Sequence, residues 1–67
     1  MARIRINGKE TDFSSATSLA GLVARKGLSA GKIVIEYNRR IVDKKDWETI
    51  VLQENDEVEI VSFVGGG

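Results

Sequence analysis

Cysteine and histidine are both absent from this chain of 67 residues, and the two absences exclude most self-contained chemistry. Without Cys there is no thiol nucleophile, disulfide or thiolate metal site; without His the commonest general base and zinc ligand are missing. Net charge is absent as well. Ten Lys plus Arg balance ten Asp plus Glu, and the signs alternate along the chain, so no basic block is available to neutralise a nucleic-acid backbone. No apolar run approaches the roughly 20 residues that span a bilayer, and Met1-Ala2-Arg3-Ile4-Arg5 leads straight into a strand pattern without the apolar core of a signal peptide. The expectation is a cytoplasmic protein with neither nucleic acid nor a membrane as partner. Carboxylate pairs remain as potential catalytic groups, but a domain this small has little room for the mostly apolar pocket that holds a substrate. Composition therefore points to a protein on which enzymes act, not an enzyme, with no cofactor or metal of its own.

What is present suffices for one small domain. A hydrophobic fraction of 42% beside a charged fraction of 30% lies far from the composition of disordered chains, although the length is near the lower limit for a core without disulfide or metal.

Arg3-Ile4-Arg5-Ile6 alternates polar and apolar residues, and after Asn7-Gly8 the extended pattern resumes as Lys9-Glu10-Thr11-Asp12-Phe13. This predicts a β-hairpin with a type I′ turn, whose central positions need positive φ that Asn tolerates and Gly takes freely. Leu19, Leu22 and Val23 then stand at helical spacing, predicting a helix from about Leu19 to Lys26 with Ser18 as N-cap and Gly27 at the left-handed C′ position. Gly21 within it is a defect of about 1 kcal/mol relative to Ala. Two helical turns are marginal alone, so the apolar stripe must dock on a sheet.

Lys32-Ile33-Val34-Ile35-Glu36-Tyr37 predicts a strand buried on more than one face, Asn38-Arg39-Arg40 a turn, and Ile41-Val42 a very short strand. Asp43 to Thr49 suits a single helical or 3₁₀ turn starting at Asp43. Ile50-Val51-Leu52 precedes a turn at Glu54-Asn55-Asp56, and Glu57 to Phe63 alternates as a closing strand. After Val64 only Gly65, Gly66 and Gly67 remain. This element order predicts an α+β fold with one helix packed across one face of a mixed sheet of four or five strands.

Trp47 reads as a core lid, with a partner-facing role as the alternative. Phe63, beside the glycines, reads equally as packing or as a grip for a partner. The pairs Arg39-Arg40 and Lys44-Lys45 read as solvated surface, with steering of an acidic partner as the alternative.

The element order, ending in glycines after a strand, resembles the ubiquitin-like β-grasp carriers. Tyr37-Asn38-Arg39-Arg40-Ile41-Val42-Asp43-Lys44-Lys45-Asp46-Trp47 is similar to the strand, Asn turn, Ile-Val and Pro-Arg-x-x-Trp segment of the ThiS family, and Glu54-Asn55-Asp56 to its Asp-Gly-Asp turn. Asp43 stands where that family often has Pro, and Asn55 where it often has Gly. Asp can begin a helical turn and Asn tolerates the left-handed conformation.

The resemblance implies a β-grasp domain over residues 1–64 and a flexible glycine tail over 65–67. It implies a sulfur carrier of thiamine biosynthesis: a ThiF-like enzyme adenylates the carboxylate of Gly67 with ATP, sulfur from a cysteine-desulfurase pathway converts it to a thiocarboxylate, and thiazole synthase takes the sulfur. Gly66, Gly65, Val64 and Phe63 would then be the partner-binding tail. A MoaD-type carrier for molybdopterin synthesis and a non-reactive interaction module are the other readings of the same fold.

Overall fold

The computed structural model describes residues 2–13 and 16–63. In chain order come β1 (Ala2–Ile6), β2 (Lys9–Phe13), α1 (Leu19–Arg25), β3 (Ile33–Tyr37), β4 (Arg40–Val42) and β5 (Glu57–Ser62). Short 3₁₀ turns lie at Ala30–Lys32 and Lys44–Asp46. The sheet has the order β2-β1-β5-β3-β4, with β1 and β5 parallel and the other neighbours antiparallel. This is the mixed sheet with one helix that the element order predicts, with five strands.

Local chemistry explains the elements. Asn7 (φ +50°) and Gly8 (φ +83°) make the predicted hairpin turn. Asn7 also ties that turn to β5, its Oδ1 accepting from the Ile60 amide at 2.7 Å and its Nδ2 donating to the Ile60 carbonyl at 3.3 Å. Ser18 caps α1 by accepting from the Gly21 amide at 3.0 Å. At the other end Gly27 sits at φ +67°, and the amides of Gly27 and Leu28 donate to the carbonyls of Ala24 and Val23, which satisfies groups that the helix leaves orphaned. The helix ends at Arg25, with Lys26 as its cap, one residue short of the expected span.

Leu19, Leu22 and Val23 of α1 join Ile4, Ile6, Ile33, Ile35, Val58 and Trp47 in one buried cluster. Each fully buried aliphatic side chain stabilises the fold by about 1.5–3 kcal/mol, which is what holds so short a helix in place. Trp47 is 4% exposed, so the core-lid reading holds.

Two expectations are corrected. β3 begins at Ile33, because Lys32 closes the preceding 3₁₀ turn, and the strand is buried on one face only, with Ile33 and Ile35 inward and Val34 exposed. α1 covers one side of the sheet, so the opposite side stays open. Asp43 occupies the N-cap position of the second 3₁₀ turn without a side-chain cap; the closing bond runs from the Asp46 amide to the Asp43 carbonyl at 2.9 Å.

Candidate functional site

The candidate site is built around the end of β5, because that strand delivers the glycines named by the sequence. β5 lies inside the sheet, paired with β1 from Glu57 to Val58 and with β3 from Val58 to Ser62. Beyond Ser62, the Phe63 amide still donates to the Lys32 carbonyl at 3.0 Å. The Phe63 side chain is 51% exposed, which removes core packing from its two readings. Val64, Gly65, Gly66 and Gly67 lie outside the described residues.

The start of β5 is clamped by Asp56, a buried carboxylate. It accepts from the Tyr37 hydroxyl at 2.6 Å, from Asn38 Nδ2 at 3.1 Å and from the Gln53 amide at 2.7 Å. Asn38 completes the clamp: its amide donates to the Glu57 carbonyl at 2.8 Å and its Oδ1 accepts from the Glu57 amide at 2.8 Å. Burial, and then the bond to Asp56, push the Tyr37 phenol up to about 12. The β3–β4 turn and the first residue of β5 thus form one hydrogen-bonded unit.

The open face of the sheet carries two different surfaces. On β1 and β2, Arg3 meets Asp12 at 3.2 Å and Arg5 meets Glu10 at 3.6 Å. Towards the chain end the same face turns apolar: Val34 and Val61 face each other across β3 and β5, Ile41 on β4 is 70% exposed, and Val61 and Phe63 are exposed as well. At the border Glu36 and Glu59 are direct cross-strand partners. Among the described residues neither has an ion pair. Directly opposed like charges are unfavourable, so this border is suited to a cation from a partner.

Sequence reasoning reached Phe63 but missed Val34, Ile41, Val61 and the two glutamates as one surface. The signal was present in β5, where the outward positions Glu57, Glu59, Val61 and Phe63 change from acidic to apolar towards the glycines. Arg39 and Arg40 stay exposed beside the clamp, Arg39 only 3.7 Å from Glu57. No group of three or more metal-ligating side chains occurs among the described residues, and no helix among them is long and apolar enough to cross a membrane.

The ThiS family model matches residues 3–67. The chain belongs to the ThiS family. It is 32% identical to the sulfur carrier protein ThiS of Bacillus subtilis over 96% of this chain and 98% of that one. It is also 35% identical to a thiazole synthase of Magnetococcus marinus over 97% of this chain, but spans only 20% of that protein's length. In fold it is similar to the ThiS thiamine biosynthesis protein of Geobacter metallireducens, with a TM-score of 0.82 and 20% identity over 97% of this chain and 99% of that one. The β-grasp architecture of the ThiS family is therefore the architecture of this chain.

Proposed function

We propose that the chain is a sulfur carrier of thiamine biosynthesis, acting through the α-carboxylate of Gly67. The observation that carries this reading is that the family match runs through Gly67 while β5 ends at Ser62. The likeness to the Bacillus subtilis carrier along its whole length supports the same role.

An α-carboxyl group of pKa ~3.5 is ionised at neutral pH. It attacks the α-phosphorus of ATP, pyrophosphate leaves, and the acyl adenylate forms. The terminal sulfur of a persulfide from a cysteine-desulfurase pathway then displaces AMP to give an acyl disulfide, and a thiol reductant cleaves the S–S bond to leave the thiocarboxylate. This chemistry takes place in a ThiF-like partner, since the chain has neither Cys nor His to serve as nucleophile or general base. Residues 64–67, at roughly 3.3–3.6 Å each, reach at most about 13–14 Å, so the body of the domain must dock close to the reacting centre. The apolar surface of Val34, Ile41, Val61 and Phe63 is placed for that docking, beside the point where the tail departs. Thiazole synthase is the acceptor of the sulfur in this reading; a likeness between this chain and a fifth of a thiazole synthase supports that pairing. In this reading the work belongs to the cytoplasm, where ATP and a sulfur donor are at hand.

The test is adenylate formation by a ThiF-like enzyme with the native chain, with one residue added after Gly67, and with Gly66→Val. The added residue moves the carboxylate by roughly 3.5 Å and leaves an amide in its place; the Val variant puts a branched side chain in a passage suited to bare backbone. Both variants are expected to fold normally and to lose activation, with thiocarboxylate seen by intact mass only for the native chain. Undiminished adenylation of the extended chain overturns the reading.

A further inference from the structure

On the helix side of the molecule, away from the open sheet face, α1 and the second 3₁₀ turn enclose a shallow groove of about 500 Å³. Ala20, Val23 and Ala30 give it a small-residue apolar lining, Trp47 forms part of its wall, and Lys44, Lys45 and Glu48 stand on its rim. Trp47 holds the backbone here, its carbonyl accepting from the Ala20 amide at 3.1 Å.

Two features distinguish this groove from ordinary surface relief. The Trp47 indole nitrogen is buried and has no hydrogen-bond partner among the described residues, although buried polar groups in native proteins are nearly always paired. Both rim lysines are exposed and neither has an ion pair among the described residues. The groove thus joins an apolar floor to two cations that have no ion pair among the described residues.

We infer that this groove receives an acidic, apolar-centred segment of a partner protein. One apolar side chain of the segment packs on Ala20, Val23 and Ala30 beside Trp47, and its carboxylates meet Lys44 and Lys45. Glu48 on the same rim disfavours a broad anionic surface such as a membrane and selects carboxylates placed near the lysines. Because the groove and the open sheet face lie on opposite layers, a segment bound here leaves the docking face and β5 terminus free. The inference is independent of the chemistry at Gly67.

The chain has one tryptophan, so its fluorescence reports on the groove. The probe is an acetylated, amidated peptide with a Leu-Phe centre flanked by Asp and Glu, compared with the same peptide carrying Lys in place of the acids and with vesicles of anionic lipid. A saturable change in Trp47 emission is expected with the acidic peptide alone, with amide shifts confined to α1 and Lys44–Trp47. Lys44→Glu combined with Lys45→Glu is expected to weaken binding by about tenfold. No saturation at peptide concentrations on the order of 1 mM, equal binding of the basic peptide, binding indifferent to the charge reversal, or a response to the vesicles alone each overturns the proposal.

Discussion

At Asp56 a single carboxylate gathers donors from Tyr37 and Asn38, which lie 19 and 18 residues away in the chain. No local pattern announces such a group, since its partners meet only after β3 and β5 have paired. Its effect is measurable at Tyr37, the one tyrosine in the chain, whose folded pKa stands near 12 against an ordinary value of 10.0. A raised phenol pKa means that the fold favours the protonated form. Its contribution to stability is complete below about 10 and is lost as pH rises through about 12. An ultraviolet absorbance titration should place tyrosinate formation near the upper value, and Asp56→Asn should lower it; a native midpoint near the ordinary value would refute the clamp. Trp47, by contrast, was legible as core because a lone large aromatic in a small domain has few other places to go. Trp47→Ala is expected to cost about 3–5 kcal/mol by chemical denaturation.

Turns and caps were readable wherever their determinants lie within a few residues of one another. Asn7-Gly8, Ser18 and Gly27 all do what their chemistry dictates. The turn between β3 and β4 is tighter than the sequence suggested: Asn38 (φ +51°) and Arg39 (φ +72°) make it, and Arg40 already belongs to β4. Arg39 pays for this with a left-handed backbone that costs a non-glycine residue roughly 1–2 kcal/mol, while its 87% exposed side chain gains little from Glu57. Arg39→Gly is therefore expected to stabilise the domain by about 0.5–1 kcal/mol after the greater chain entropy of Gly is counted. Thermal denaturation checks it, and a fall in midpoint would assign Arg39 a contact that the geometry does not show. Ser18→Ala should act in the opposite direction, by about 1 kcal/mol, through the lost cap on α1. Gly21, read in the sequence as a plain helix defect, has a packing reason as well, since an added Cβ would come within 3.3 Å of Thr17 Cγ2.

For the whole molecule, the decisive fact is that one helix covers one side of the sheet. The run Ile33-Val34-Ile35 could not reveal this, because alternation assigns residues to faces without saying which faces are covered; Val34 was thus expected inside and lies outside. Once β5 is set between β1 and β3, the open face divides into an ion-paired half and an apolar half, and the apolar half adjoins the departing chain end. The fold was legible in element order, and the expected tail lies outside the described residues, but the exposed apolar surface of Val34, Ile41, Val61 and Phe63 requires the sheet. Val61→Lys tests that surface without touching the core. Val61 is 57% exposed, and a lysine there comes beside Glu59 on its own strand and diagonal to Glu36 on β3, so stability should change by less than about 1 kcal/mol. The same cation removes apolar contact from the centre of the patch and occupies the two carboxylates that a partner's cation would meet. Affinity for a ThiF-like enzyme should fall by at least about tenfold, read by titration calorimetry. Glu10→Lys, on the ion-paired half of the same face, is the control and should change affinity little. Equal losses from the two substitutions would mean that net charge governs the encounter, and an unchanged affinity for Val61→Lys would move docking away from the open face altogether.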